Sequence, residues 1–360
     1  MGTITKNQHY VPQFLLRNFA AQQKRIYRIN VLDIERDNFR PNQNVADICS
    51  QNYFYDRNNA IERFLEKNVE TPAAAEIERL CSECPTVATT PSRELIRFVS
   101  VQLARTAEAL DQALIFINGI TKTMFRELAR LNNFDEDAAE RCRLVPTEPR
   151  MLASRLALNG CISWLLIHDL EQHLIINRTV RDFVISDHPV VHSNGYLFGQ
   201  KFINTGSLAV AGSQIFLPIS PERLLCLYDP HVYKYGQKNT HVSYVDSIET
   251  INAINVLQVR NGARALMFRE SEHQELAARQ CHAWRSRPLW EHRSFYNPAQ
   301  EDDQGELRSQ HVVSKMQTPP KVDLPFFKVK KNMRRRQVVN DDRVPEAVAA
   351  VDTMMKQFKE

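Results

Sequence analysis

The periodicity of the chain changes character near residue 171, and that change limits the folds open to it. Between 58 and 170 apolar residues recur at helical spacing. "NAIERFLEKNVETPAAAEIERLCSE" sets Glu62, Glu66 and Glu70 four apart, and Thr90-Pro91 reads as a cap and first-turn proline of a helix extending to about 131. Residues 134–143 and 149–170 read as further helices. From 173 to 230 β-branched residues alternate with polar ones, and "SQIFLPISPERLLCLYDP" reads as two strands around a Pro-bounded turn. Helical periodicity returns at 242–271, and "RIYRINVLDIER" (25–36) alternates in strand style. These patterns predict an α+β fold, mostly helical, with a small mixed or antiparallel sheet carrying the site.

The 360 residues suffice for a substantial core, which we place in one domain over 1–298. Residues 299–343 read as a basic, flexible linker or tail. Residues 344–360 read as a short amphipathic helix opened by Pro345, with Val348, Val351, Met355 and Phe358 on one side. The net charge of +4 is unevenly spread. Residues 321–343 hold eight Lys/Arg against three Asp, a net of +5, so the remainder sums to −1. Attraction to polyanions therefore belongs to the tail, where Lys328, Lys330, Lys331, Arg334, Arg335 and Arg336 form a nucleic-acid-binding candidate; the alternative is a solvated tail.

No apolar run reaches membrane-span length, and the N-terminus lacks the sections of a secretory signal. Seven cysteines without a disulfide pattern point to a reducing, cytoplasmic setting. "CSEC" (81–84) has zinc-like spacing but no second ligand pair at finger spacing. Glycine is scarce, ten in all, and neither G-x-x-x-x-G-K nor G-x-G-x-x-G occurs, which argues against a P-loop NTPase or a Rossmann dehydrogenase.

Three polar clusters stand out. In "NQHYVPQFLLRNF" (7–19) Gln13 and Arg17 share a helical face roughly opposite Phe14, Leu15, Leu16 and Phe19, with His9 just before and Asn18 just after. On the second helix Gln102, Arg105 and Thr106 fall on the apolar stripe of Leu95, Phe98, Val99 and Leu103. A guanidinium aimed at a core needs an acidic partner, either a ligand phosphate or a carboxylate such as Glu66 or Glu70. In "FVISDHPVV" (183–191) a strand ends on Ser186, Asp187 and His188 and is stopped by Pro189. Asp187 has several possible roles: partner of Arg105, base, metal ligand, or an Asx-turn bonding its own backbone.

"HYVPQFLLRNF", "FVSVQLARTAEA" and "FVISDHPVV", followed by "LPISPERLLCL" and "INAINVLQVRNGARALMF", together resemble the domain of unknown function 4238 family over about residues 6–270. The chain departs from the family pattern at Leu15, where an aromatic is frequent, and at His188, where asparagine is frequent. The resemblance implies a shared fold and one composite polar site drawn from His9, Gln13, Arg17, Asn18, Gln102, Arg105, Ser186, Asp187, Pro189 and Asn255.

Such a site suits an enzyme acting on a phosphate ester, a nuclease or nucleotide hydrolase. Arg17 and Arg105 would clamp phosphate, His9 would move a proton near neutrality, and Asp187 would orient His9 or help hold Mg²⁺ or Mn²⁺. Gln13, Asn18, Gln102, Ser186 and Asn255 would contact substrate, and the glycine-containing loop 195–212 would close over it. The alternatives are a non-catalytic module binding an anionic ligand or nucleic acid, and a structural network fastening the N-terminus to the core.

Overall fold

The computed structural model describes residues 6–82, 85–86, 89–135, 138–141, 147–200, 206–235, 240–269, 273–301, 307–319, 321–322, 324, 327–334 and 343–357. The fold is α+β, with the strands spread over several sheets where the sequence suggests one. In the first sheet β2 (Ala21–Gln23), β3 (Ile26–Asp33), β13 (Ala265–Phe268) and β7 (Ile185–Ser186) follow one another, and β4 (Asn38–Asn44) also pairs with β3. In the second the order is β12 (Val242–Val245), β6 (Glu171–Asn177), β10 (Arg223–Tyr228), β9 (Gln214–Ser220) and β8 (Val191–Ser193). Its β12–β6 pair is parallel and the others antiparallel. Three ribbons complete the strands: β1 (Asn7–His9) with β5 (Ser50–Asn52), β11 (Tyr233–Lys234) with β16 (Lys328–Val329), and β14 (Trp290–Glu301) with β15 (Leu307–Gln317).

Short α1 (Gln13–Arg17) follows β1 at once. A continuous helical rod then runs from α2 (Ala60–Leu65) through a π turn (Glu66–Glu70) into α3 (Thr71–Ser82). After it come α4 (Glu94–Ala104), α5 (Ala107–Leu131), α6 (Ala138–Arg141), α7 (Pro149–Ser163), α8 (Ile248–Arg260), α9 (Gln274–Trp284), α10 (Lys331–Arg334) and α11 (Pro345–Gln357). The largest core cluster joins Leu15 and Phe19 of the N-terminal segment to Phe98 and Val99 of α4, and to Ile185, Leu217 and Met267 of both main sheets. Each such side chain contributes about 1.5–3 kcal/mol by leaving water. The N-terminal motif is thereby sewn into the centre of the molecule.

The expected helix from 91 to 131 is two helices. Thr106 leaves helical geometry (φ −82°, ψ 163°), and its hydroxyl accepts from Ala109 N–H, starting α5 anew. The first half begins at Glu94 rather than at Pro91. The expected helix over 242–271 is a β–α–β run, β12, α8 and β13, since the β-branched and apolar ends pair with β6 and β3. Beyond 298, β15 pairs along β14. The basic stretch is fastened at its start. Lys328 lies in β16 opposite Lys234, Lys330 Nζ donates to Pro230 O at 2.5 Å, and Phe327 packs its ring 4.8 Å from that of Tyr235. Lys331 and Arg334 lie in α10, while Arg335 and Arg336 fall outside the described residues. So does Cys84, leaving Cys81 with its thiol 3.9 Å from Ile219 O. In the loop 195–212, residues 201–205 also lie outside.

The α4–α7 crossing is unusually close. A Cβ on Gly160 would meet Val101 Cα at 2.8 Å and Ser100 O at 3.1 Å, and Ser100 Oγ donates to Gly160 O at 2.8 Å. Gly160→Val should therefore destabilise the fold by about 1–3 kcal/mol in chemical denaturation. Gly119→Ala on α5 meets nothing within 4 Å and should be neutral or slightly stabilising. Equal effects of the two changes would refute the tight crossing.

Candidate functional site

A cleft of about 380 Å³ opens between the N-terminal segment and the α2–π–α3 rod. His9, Gln13 and Arg17 line one wall, and Glu62, Glu66 and Glu70 the other. The placement follows from local structure. β1 clips to β5 with His9 opposite Ser50, and Pro12 then starts α1 so that Gln13 and Arg17, four apart, share its outer face. Arg17 donates to Gln13 Oε1 at 3.1 Å and lies 5.2 Å from the Tyr27 ring centre. In a straight α-helix residues four apart drift about 40° per step. The π turn takes more residues per turn, which offsets that drift and keeps all three glutamates on the cleft side.

Beneath the cleft lies Arg105, 1% exposed. Its Nη1 donates to Glu70 Oε1 at 2.7 Å and its Nη2 to His9 O at 2.9 Å, with Tyr55 at 5.9 Å below the guanidinium. Of the alternatives open in the sequence, a protein carboxylate meets this cation, and it is Glu70. Arg105 thus holds the backbone of His9 and one glutamate of the opposite wall together.

Two proton-active groups of the cleft, His9 and Glu62, have shifted affinities. His9 Nε2–H donates to Ala46 O at 3.1 Å, which fixes the tautomer and leaves the lone pair on Nδ1. Burial lowers its pKa below the ordinary 6.5, against the pull of Ala46 O and Glu70. Burial pushes the Glu62 carboxyl up to about 7, against the opposing charge of Arg105. Glu62 Oε2, Arg105 Nε and Gln102 Oε1 are buried and carry no hydrogen bond. At neutral pH the cleft thus holds a neutral imidazole beside a carboxyl that retains much of its proton.

The other candidate residues do not converge here. Asp187 is 4% exposed, and its Oδ1 accepts from the backbone N–H of Arg264 at 2.9 Å and of Ala265 at 3.2 Å. It pairs with neither Arg105 nor His9; it anchors the end of β7 to the turn before β13. Ser186 Oγ donates to Gln258 Oε1 at 2.7 Å, while Gln258 Nε2 donates to Pro189 O at 2.8 Å. Asn255 accepts from Val184 N–H and donates to Asp182 O. These three fasten the 182–190 segment to α8. Asn18 Nδ2 donates to Ile219 O, and Gln102 Nε2 to Tyr10 O, tying the N-terminal motif to β9 and α4. Among the described residues no group of three His, Cys, Asp or Glu side chains is arranged to hold a metal ion.

In the sequence Glu62 shows only as part of a four-residue glutamate repeat. Such a repeat is the ordinary signature of a solvated helix face. The added signal was the demand of Arg105 for acid, which selects the same face.

No curated protein and no solved structure matches the chain. No helix among the described residues is long and apolar enough to cross a membrane. The sequence pattern of one family, described as a protein of unknown function (DUF4238), matches residues 7–272, and the chain belongs to that family.

Proposed function

We propose that the cleft is the catalytic centre of a hydrolase acting on a phosphate ester, with His9 as general base, Glu62 as general acid and Arg17 as the binder of the substrate's anionic group. The observation that carries this reading is that His9, its Nε2–H bonded to Ala46 O, and Glu62 stand on facing walls of one cleft, where burial favours the neutral form of both. Near neutrality each holds the protonation state its role needs. Arg17 has a guanidinium at the cleft wall, supported by Gln13. Arg105 is a positioning residue, since its hydrogen bonds go to His9 O and Glu70. The glutamate wall disfavours a long polyanion, so the substrate class narrows to a small ester such as a mononucleotide. Basic residues of the tail remain the natural place for any nucleic-acid contact.

The test uses bis(p-nitrophenyl) phosphate and a panel of mononucleotides, with and without Mg²⁺ or Mn²⁺. Turnover should follow a bell, rising as His9 loses its proton below pH 6.5 and falling as Glu62 ionises about pH 7. His9→Ala and Glu62→Gln should each lower kcat by about 10²–10⁴-fold. Arg17→Met should mainly raise KM. Binding without turnover in the intact protein would favour the non-catalytic module; turnover surviving both His9→Ala and Glu62→Gln would remove the assignment.

A further inference from the structure

Helix α5 is apolar well beyond what its own chain covers. It touches α4, α6, α7 and β14, yet of its 25 residues only Ala129 is buried. Met124 and Leu128 are each 57% exposed, Leu131 66% and Phe125 43%. The helix ends in a closed cap. Asn133 turns left-handed (φ 55°), its N–H donates to Arg130 O, and Phe134 N–H donates to Ala129 O at 2.8 Å. That turn holds Phe134 at the helix end, 73% exposed. Five large apolar side chains thus stand in water on one ordered element, an arrangement that calls for a covering surface.

Their spacing says what kind of surface. Leu114, Ile117, Thr121, Met124, Leu128 and Leu131 recur at alternating steps of three and four, and Leu110 extends the series. None of these residues is buried. The repeat is that of a seam that packs against another helix, each side chain seating between side chains of the partner. A lipid surface fits less well. In α5 Lys122, Arg126 and Arg130 balance Glu108, Asp111 and Glu127, so the helix has no net charge to draw it to anionic headgroups. The area suits a second copy of the chain. At about 200 Å² per large side chain, the exposed fractions of Met124, Phe125, Leu128, Leu131 and Phe134 leave about 600 Å² of apolar surface in water. Two such faces bury about 1,200 Å² together, the lower bound of a specific stable interface, before the half-buried Leu114, Ile117 and Ile120 add their share.

We propose that α5 pairs antiparallel with α5 of a second copy of this chain, making a two-fold dimer. In that register Leu114 lies opposite the partner's Leu131, Ile117 opposite the partner's Leu128, and Thr121 opposite the partner's Met124. Each contact occurs twice by symmetry. The antiparallel sense opposes the two helix dipoles. It also keeps the two Thr121 hydroxyls from facing each other in the seam, as a parallel pair would require. The seam shares no residue with the His9–Glu62 cleft.

Sedimentation equilibrium of the full chain tests it. The parent should sediment at twice the mass of one chain. A monomer at about 100 µM, above the micromolar limit of specific interfaces, would overturn the proposal. Flotation of that monomer with phosphatidylcholine–phosphatidylglycerol vesicles would then assign the face to lipid. Leu128→Glu sets an unpaired charge in the seam of each copy and should raise Kd by about 100-fold or more. Ile115→Glu, on the same helix but off the seam and 65% exposed, should leave the dimer intact. Both positions face water, so circular dichroism of the two variants should match the parent. Ile117→Cys with Leu128→Cys should give a dimer cross-linked on oxidation, and neither single change should, because these positions meet only between antiparallel copies. An undiminished dimer in Leu128→Glu, dissociation in Ile115→Glu, or no cross-link in the double variant would each overturn the proposal.

Discussion

Arg105→Met should cost the fold about 3–5 kcal/mol in chemical denaturation, the range for removing one partner of a buried ion pair. Arg105 is buried, its pair with Glu70 measures 2.7 Å, and its other arm satisfies the His9 carbonyl. The methionine fills much of the volume yet leaves that carbonyl without its donor and Glu70 without its cation. Glu70 retains 20% side-chain exposure, which lets water recover part of the loss. Glu70→Gln should be milder. The amide still accepts from Arg105, and neighbouring Glu62, held up by burial, ionises to balance the guanidinium. The Glu62 pKa should therefore fall below about 7 in Glu70→Gln and rise in Arg105→Met, which carbon-detected NMR titration would read directly. The double change Arg105→Met with Glu70→Leu should recover part of the stability, because an apolar pair can replace a buried ionic one. A loss under 1 kcal/mol in Arg105→Met would mean that the pair is not what joins the two cleft walls.

How far the sequence exposes this arrangement depends on the kind of signal. The strands β3, β9 and β10 are legible, because alternation and a Pro-bounded turn are local properties. The break between α4 and α5 is not. The apolar stripe runs through it, and the cap made by Thr106 looks like any threonine in a helix. Strands β12 and β13 escape because only their partners, β6 and β3, far off in the chain, make them strands. For the site, Arg105 announces itself as a cation on a core stripe and so demands a carboxylate; the structure selects Glu70 from the two offered. His9, Gln13 and Arg17 meet in one cleft as their spacing suggests. Asn18, Ser186, Asp187 and Asn255 do not line the His9 cleft. Amides, hydroxyls and carboxylates that bind ligands are the same groups that fasten irregular backbone: Asn18, Asp187 and Asn255 bond backbone directly, and Ser186 bonds the Gln258 side chain.

Asp187→Asn separates an anchor from a catalyst by its effect on the pH dependence of stability. Burial raises the Asp187 carboxyl from 3.8 to about 7, against the support of Ala265 and Arg264 N–H. Between those values the folded state binds the extra proton, so this group contributes stability as pH falls and withdraws it as pH rises. Asparagine keeps the acceptor for both N–H groups but carries no charge to desolvate. At pH 8 the variant should be more stable than the parent, by an order of 2–4 kcal/mol, and near pH 4 the two should coincide. His188 and His192, held at about 3 by burial, act with the opposite sign. Their unfolded forms bind protons below 6.5, so stability drains as pH falls from there toward 3. In the parent, protonation of Asp187 offsets part of that drain. In the variant the offset is gone, and acid destabilisation should begin near pH 6.5, steeper than in the parent. Thermal melts of both proteins from pH 4 to 8 read the crossing trend. If Asp187→Asn is less stable than the parent at pH 8, the buried carboxylate has an ionic partner that its two backbone contacts do not supply, and the anchoring role fails.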